Sequence, residues 1–109
     1  MAFTPKILGQ SNPLAATLTL AYTVPALTTV TISSLTVANR SAVGTEFRIS
    51  VAVAAAADSL EQYLFYDIAI PANDSFVATI GATLGAGDVV RVYATLATLS
   101  FNIFGIEEA

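Results

Sequence analysis

The 109-residue sequence contains neither His nor Cys. Acid–base or nucleophilic chemistry would therefore have to rest on Asp, Glu, Lys, Tyr, Ser or Thr, and none of these falls in a recognisable catalytic constellation. Two carboxylate pairs come closest: Asp58 with Glu61, and Asp74 with Asp88 in neighbouring turns. Paired carboxylates bind Ca²⁺ or hydrolyse glycosides. No spaced Asp and Gly calcium loop is present, however, and Asp in a turn is expected on backbone grounds alone. Without Cys there is no disulfide framework, thiol nucleophile or thiolate metal site. The residue inventory points to a non-enzymatic chain with no cofactor and no metal.

Four other charged residues, Glu46, Arg48, Asp67 and Arg91, fall inside stretches with β-strand patterning. Opposite charges facing each other across a sheet contribute a few tenths of a kcal/mol to about 1. The same four residues are candidates for a subunit contact, where ion pairs fix register and orientation. Tyr63 and Phe65 join them. Gln62 to Ile70 alternates without a polar face: Leu64, Tyr66, Ile68 and Ile70 share one parity, and Tyr63, Phe65, Asp67 and Ala69 the other. A strand of that kind is expected to be covered on both sides. Such an aromatic row also suits a carbohydrate-stacking platform, although core and interface are commoner fates for Tyr and Phe.

Composition strengthens the subunit reading. Hydrophobic residues make up 55% and charged residues only 11%, against about 25% charged in a typical soluble domain. With a mean hydropathy of +0.72, a lone copy would tend to self-associate, so a homo-oligomer or a component of a larger assembly is expected. Net charge is −4, and Lys6, Arg40, Arg48 and Arg91 are scattered, which disfavours nucleic-acid binding. Ile7 to Asn39 carries no charge but is interrupted by Pro13, Pro25 and many Thr and Ser. Ile49 to Ala57 is far short of the ~20 apolar residues of a membrane-spanning helix. No secretory signal opens the chain, so synthesis in a cytoplasm is expected. The sequons Asn39-Arg40-Ser41 and Asn73-Asp74-Ser75 then read as surface turns.

The elements that must position these residues are strands. Period-two alternation recurs at about Lys6–Gln10, Leu18–Val24, Thr29–Asn39, Thr45–Val53, Gln62–Ile70, Phe76–Thr83, Asp88–Thr95 and Thr98–Ile106. In Thr29–Asn39 the parity shifts at Ser33 and Ser34, so a β-bulge or bend is expected there. Pro71-Ala72-Asn73-Asp74 and Gly85-Ala86-Gly87-Asp88 supply turns, and Ala54–Leu60 reads as a loop with one helical turn. The expected fold is all-β: one domain over residues 1–109, a single antiparallel β-sandwich or jelly-roll-like barrel of about eight strands.

Several runs, Tyr22-Thr23-Val24-Pro25-Ala26, Val37-Ala38-Asn39-Arg40-Ser41, Phe47-Arg48-Ile49, Gln62-Tyr63-Leu64 after an Ala-rich loop, and Ala72-Asn73-Asp74-Ser75, resemble small β-sandwich virion proteins of tailed bacteriophages. So does the ending Val92-Tyr93-Ala94, Leu99-Ser100-Phe101 and Phe104-Gly105. The resemblance covers nearly the whole chain and is carried by turn and strand features. It implies a non-enzymatic structural protein of the particle, made in the bacterial cytoplasm and assembled with its own copies and other virion proteins. Tail or fibre association is the first expectation and capsid decoration the second. A receptor or carbohydrate-binding module is the reading from a different class.

Overall fold

A computed structural model describes residues 2–109, which form eight strands: β1 (Phe3–Ser11), β2 (Thr19–Thr23), β3 (Thr29–Asn39), β4 (Thr45–Ala52), β5 (Tyr63–Ile70), β6 (Ser75–Leu84), β7 (Val89–Ala94) and β8 (Leu99–Glu108). All eight correspond to expected strands, with ends displaced by a few residues.

Pairing follows a simple rule. β1 pairs with β8, β2 with β7, β3 with β6 and β4 with β5, all antiparallel, so the chain is one long hairpin whose tip is the β4–β5 connection. Ladders between β3 and β8 and between β4 and β7 then close that hairpin into two sheets. Sheet A has the order β1-β8-β3-β6 and sheet B the order β2-β7-β4-β5. A long antiparallel ribbon wound into two packed sheets is a jelly roll.

The sheets bury their facing side chains. Val30, Ile32, Leu35 and Val37 of β3 and Leu99, Phe101 and Ile103 of β8 meet Phe47 and Ile49 of β4 and Val90, Val92 and Ala94 of β7. Phe47 sits among three rings, 5.2 Å from Phe76, 6.0 Å from Phe101 and 6.5 Å from Phe65 between centroids. Within sheet A, Gly105 of β8 has no room for a Cβ, which would run into the Thr31 carbonyl of β3 and the Leu8 side chain of β1.

The expected irregularity in β3 is present: register shifts between Ile32 and Ser34 against both β6 and β8. Opposite it in β6, Gly81 adopts φ 61°. The extra residue reverses the parity of β3, so Val30 and Ile32 before it and Leu35 and Val37 after it all point into the core.

Other expectations need correction. A tight left-handed turn at Val53–Ala55, with Ala54 at φ 51° and Ala55 at φ 57°, and a 3₁₀ turn at Leu60–Gln62 stand where one helical turn was expected. Asp74 and Asp88 are separated by the whole of β6; Asp74 accepts from the Ser75 N–H, and Asp88 from the Ala54 and Gly85 N–H groups. They do not form a carboxylate pair. Glu61 accepts from the Ser59 hydroxyl and Asp58 from the Tyr63 hydroxyl, so that pair too is divided between different partners. Asn39 is buried rather than on a surface turn. Its side-chain amide donates to the Val43 and Pro71 carbonyls, stitching the β3–β4 and β5–β6 turns together. At the same end Arg40 reaches Asn12 Oδ1 at 3.0 Å and the Ala97 carbonyl at 3.3 Å.

Candidate interaction surface on sheet B

The central strand β4 alternates strictly, turning Phe47 and Ile49 into the core and Glu46 and Arg48 to the outer face of sheet B. Tyr93 of β7 lies opposite Arg48 in the ladder and shares that face. β5 contributes by breaking its own alternation. Its register slips twice against β4, and Asp67 takes the left-handed conformation, φ 52°, which Asp tolerates better than most side chains. Phe65 and Ile68 therefore both pack against the core, while Tyr66 and Asp67 turn outward.

This corrects the reading of β5 as a strand covered on both sides: it is an edge strand with Leu64 and Tyr66 exposed. It also redistributes the two aromatic candidates. Phe65 is a core residue, 5.3 Å from Phe76 between centroids. Tyr63 stays half-buried, edge-on to Tyr66 at 5.1 Å, with its hydroxyl donating to Asp58 at 2.9 Å.

Arg48 organises the surface. Its Nε donates to Asp67 Oδ1 at 2.6 Å and its Nη2 to Oδ2 at 3.4 Å. Its Cζ stands 4.2 Å from the Tyr66 centroid and 4.5 Å from that of Tyr93, so the guanidinium lies over two rings while a carboxylate fixes its orientation. The hydrogen bond to Asp67 holds the guanidinium pKa above its usual value. Burial, then the bond to Asp58, raises the Tyr63 phenol. Three of the four tyrosines thus share one face with Arg48. The array offers rigid aromatic area around a partly exposed cation, the composition of a docking surface. Glu46 lies exposed on the same face.

Arg91 is engaged elsewhere. Its Nη2 donates to the Ala55 and Ala56 carbonyls at 3.3 and 2.8 Å, which fastens the β4–β5 connection to β7. Ser50, Ala52 and Val89 are buried although they lie outside the core cluster, because this connection lies against the far end of the same face. Alternation alone carries no sign of that cover.

Sheet A has an apolar outer face at its β1 side. Phe3, Pro5 and Ile7 of β1 lie beside Phe104 and Ile106 of β8, with Pro5 opposite Ile106 and Ile7 opposite Phe104. Phe3 is 65% exposed, Ile7 53% and Ile106 38%. Lys6, on the opposite parity, turns to Glu107 at 3.2 Å.

No family model matches the chain, and comparison with curated proteins and with solved structures gave no match.

Proposed function

We propose that this chain is a non-enzymatic structural subunit of a bacteriophage virion, assembled through protein–protein contacts with its own copies and with other virion proteins at the tail or its fibres. The observation that carries the assembly reading is the contiguous apolar row Phe3, Pro5, Ile7, Phe104 and Ile106 on the outer face of sheet A. Lone soluble domains rarely leave such rows open to water. The Arg48 array on sheet B supplies a second surface, with the aromatic and Arg composition enriched at interfaces. The resemblance to phage virion proteins supplies the biological setting.

Capsid decoration is the second reading. The β1-β8-β3-β6 and β2-β7-β4-β5 strand orders favour it by analogy of fold, since jelly rolls recur in viral capsid proteins. A glycan platform draws less support, because the Arg48 guanidinium already stands over Tyr66 and Tyr93.

The test is mass spectrometry of gradient-purified particles of the phage whose genome carries this sequence, followed by labelling of an epitope-tagged copy under the electron microscope. Recovery of the chain in fixed proportion to the other particle proteins supports the proposal, and the label separates tail from capsid. Its absence from infectious particles contradicts it.

A further inference from the structure

Each sheet ends in two edge strands: β1 and β6 in sheet A, β2 and β5 in sheet B. Edge strands present unpaired N–H and C=O groups that pair with another chain unless something blunts them. Three of the four are blunted. Ala2 and Ala109 exchange both backbone hydrogen bonds. By the alternation of antiparallel ladders, Phe3, Pro5 and Ile7 then direct their backbone groups to the open side of β1, where Pro5 has no N–H to donate. β2 has only five residues and shifts register between Leu20 and Tyr22. β5 slips twice and carries Asp67 in a left-handed conformation.

The first half of β6 has none of these devices. Ser75 to Thr79 pairs with β3 in unbroken register and contains neither a charge nor a Pro. The Asn39 N–H donates to the Asp74 carbonyl, which sets the alternation: Asp74, Phe76 and Ala78 face β3, whereas Ser75, Val77 and Thr79 direct their backbone groups to the open side. The Ser75 N–H is taken by the Asp74 carboxylate at 2.8 Å. Val77 and Thr79 are left to pair outward, before Gly81 bends the strand.

We infer that a second copy of this chain pairs with β6, antiparallel, about a twofold axis at Ala78. Val77 of each copy exchanges N–H and C=O bonds with Thr79 of the other, joining two A sheets into one. The Val77 side chain, 66% exposed, then packs beside Thr79 of the other copy on the outer face. A second copy fits the strand on charge: Asp74 falls opposite the uncharged Ala82 of the other chain, so no like charges meet. Such a contact is isologous and closes at two subunits, leaving the apolar row on β1 and the Arg48 array for further partners.

The inference rests on the reading that the chain self-assembles, and the test separates the two. Val77→Pro deletes the N–H on the open side and leaves every bond of the β3 ladder in place, a position where Pro is tolerated. Sedimentation velocity over a concentration series, with far-UV circular dichroism as the check on folding, compares it with the unmodified chain. The expected result is an oligomer built from dimers in the unmodified chain and a folded variant whose dissociation constant for the dimer contact is at least about tenfold weaker. If Val77→Pro loses its folded signal, Val77→Lys, which keeps all backbone groups and sets a charge on the edge, carries the same expectation. A folded variant with unchanged association overturns pairing through β6 and leaves self-assembly by another surface standing. An unmodified chain that stays monomeric at every concentration overturns both.

Discussion

The Tyr22 phenol lies 2.6 Å from Glu107 Oε2, and this hydrogen bond joins β2 of sheet B to β8 of sheet A. Glu107 also meets Lys6, so a carboxylate between a buried phenol and a surface ammonium closes the β1–β2 side of the sandwich. Tyr22 and then Lys6 hold the Glu107 carboxyl below its usual range. Burial, then Glu107, pushes the Tyr22 phenol well above 10.

The signs of these shifts set a pH profile. A carboxylate with a depressed folded pKa gives stability that is fully present above its unfolded value, about 4.3, and is lost as pH falls through the folded value. A phenol with a raised folded pKa gives stability that is present below about 10 and is lost as pH rises beyond it. The melting temperature is therefore expected to hold a plateau between those limits and fall on either side. Tyr22→Phe should lower the plateau by about 1.5–3 kcal/mol, as for a lost hydrogen bond to a charged group, and blunt the alkaline fall. Thermal melts across pH check this; an alkaline limb as steep in the variant as in the parent would contradict it.

Phe101 is 2% exposed and meets the Phe47 ring nearly edge-on. Phe101→Ala should cost about 3–5 kcal/mol, a large part of the roughly 5–15 kcal/mol that holds a domain of this size. Urea denaturation measures the loss, and a midpoint close to that of the parent would place the side chain outside the core.

Gly105→Ala tests the opposite fault, overpacking. The added methyl meets a backbone carbonyl of β3, which cannot yield as a flexible side chain would. A loss of about 1–3 kcal/mol is expected. Equal or greater stability in the same denaturation experiment would show that β3 and β8 have slack at this point.

Arg48 is expected to matter more for assembly than for folding. Its ion pair with Asp67 is partly exposed, a setting that contributes about 0.2–1 kcal/mol, and each ring contact contributes about 0.5–1 kcal/mol. Arg48→Glu should thus cost about 1–3 kcal/mol of stability while changing the oligomer mass. A double-mutant cycle with Asp67→Ala isolates the pair. Unchanged mass in a folded Arg48→Glu protein would remove this face from the set of contacts.

Strand after strand was legible in the sequence because alternation is a local property, and even the bulge in β3 announced itself when the parity of its apolar residues changed at Ser33 and Ser34. The same logic failed in β5. Asp67 looks like an ordinary polar residue in an alternating row, and nothing local marks it as left-handed; its φ reversed the faces of Tyr66 and Phe65 together. Asn39 was misplaced for a related reason, and the hold of Arg91 on the β4–β5 connection left no local trace. Their partners, carbonyls on the β5–β6 turn and the β4–β5 connection, become neighbours only through the winding of the chain. Of the six candidate contact residues, Arg48, Asp67 and Tyr63 came together on one face with Glu46 beside them, while Phe65 went to the core and Arg91, in β7, turned its guanidinium to the β4–β5 connection.

The central claim, that this chain works by assembling through its apolar surfaces, is tested most directly by the solution mass of the purified protein. Light scattering should be run over a range of concentration and salt. An oligomer that persists on dilution and is little changed by salt is the predicted result, since apolar contacts are not screened as ion pairs are. A monodisperse monomer throughout would contradict it.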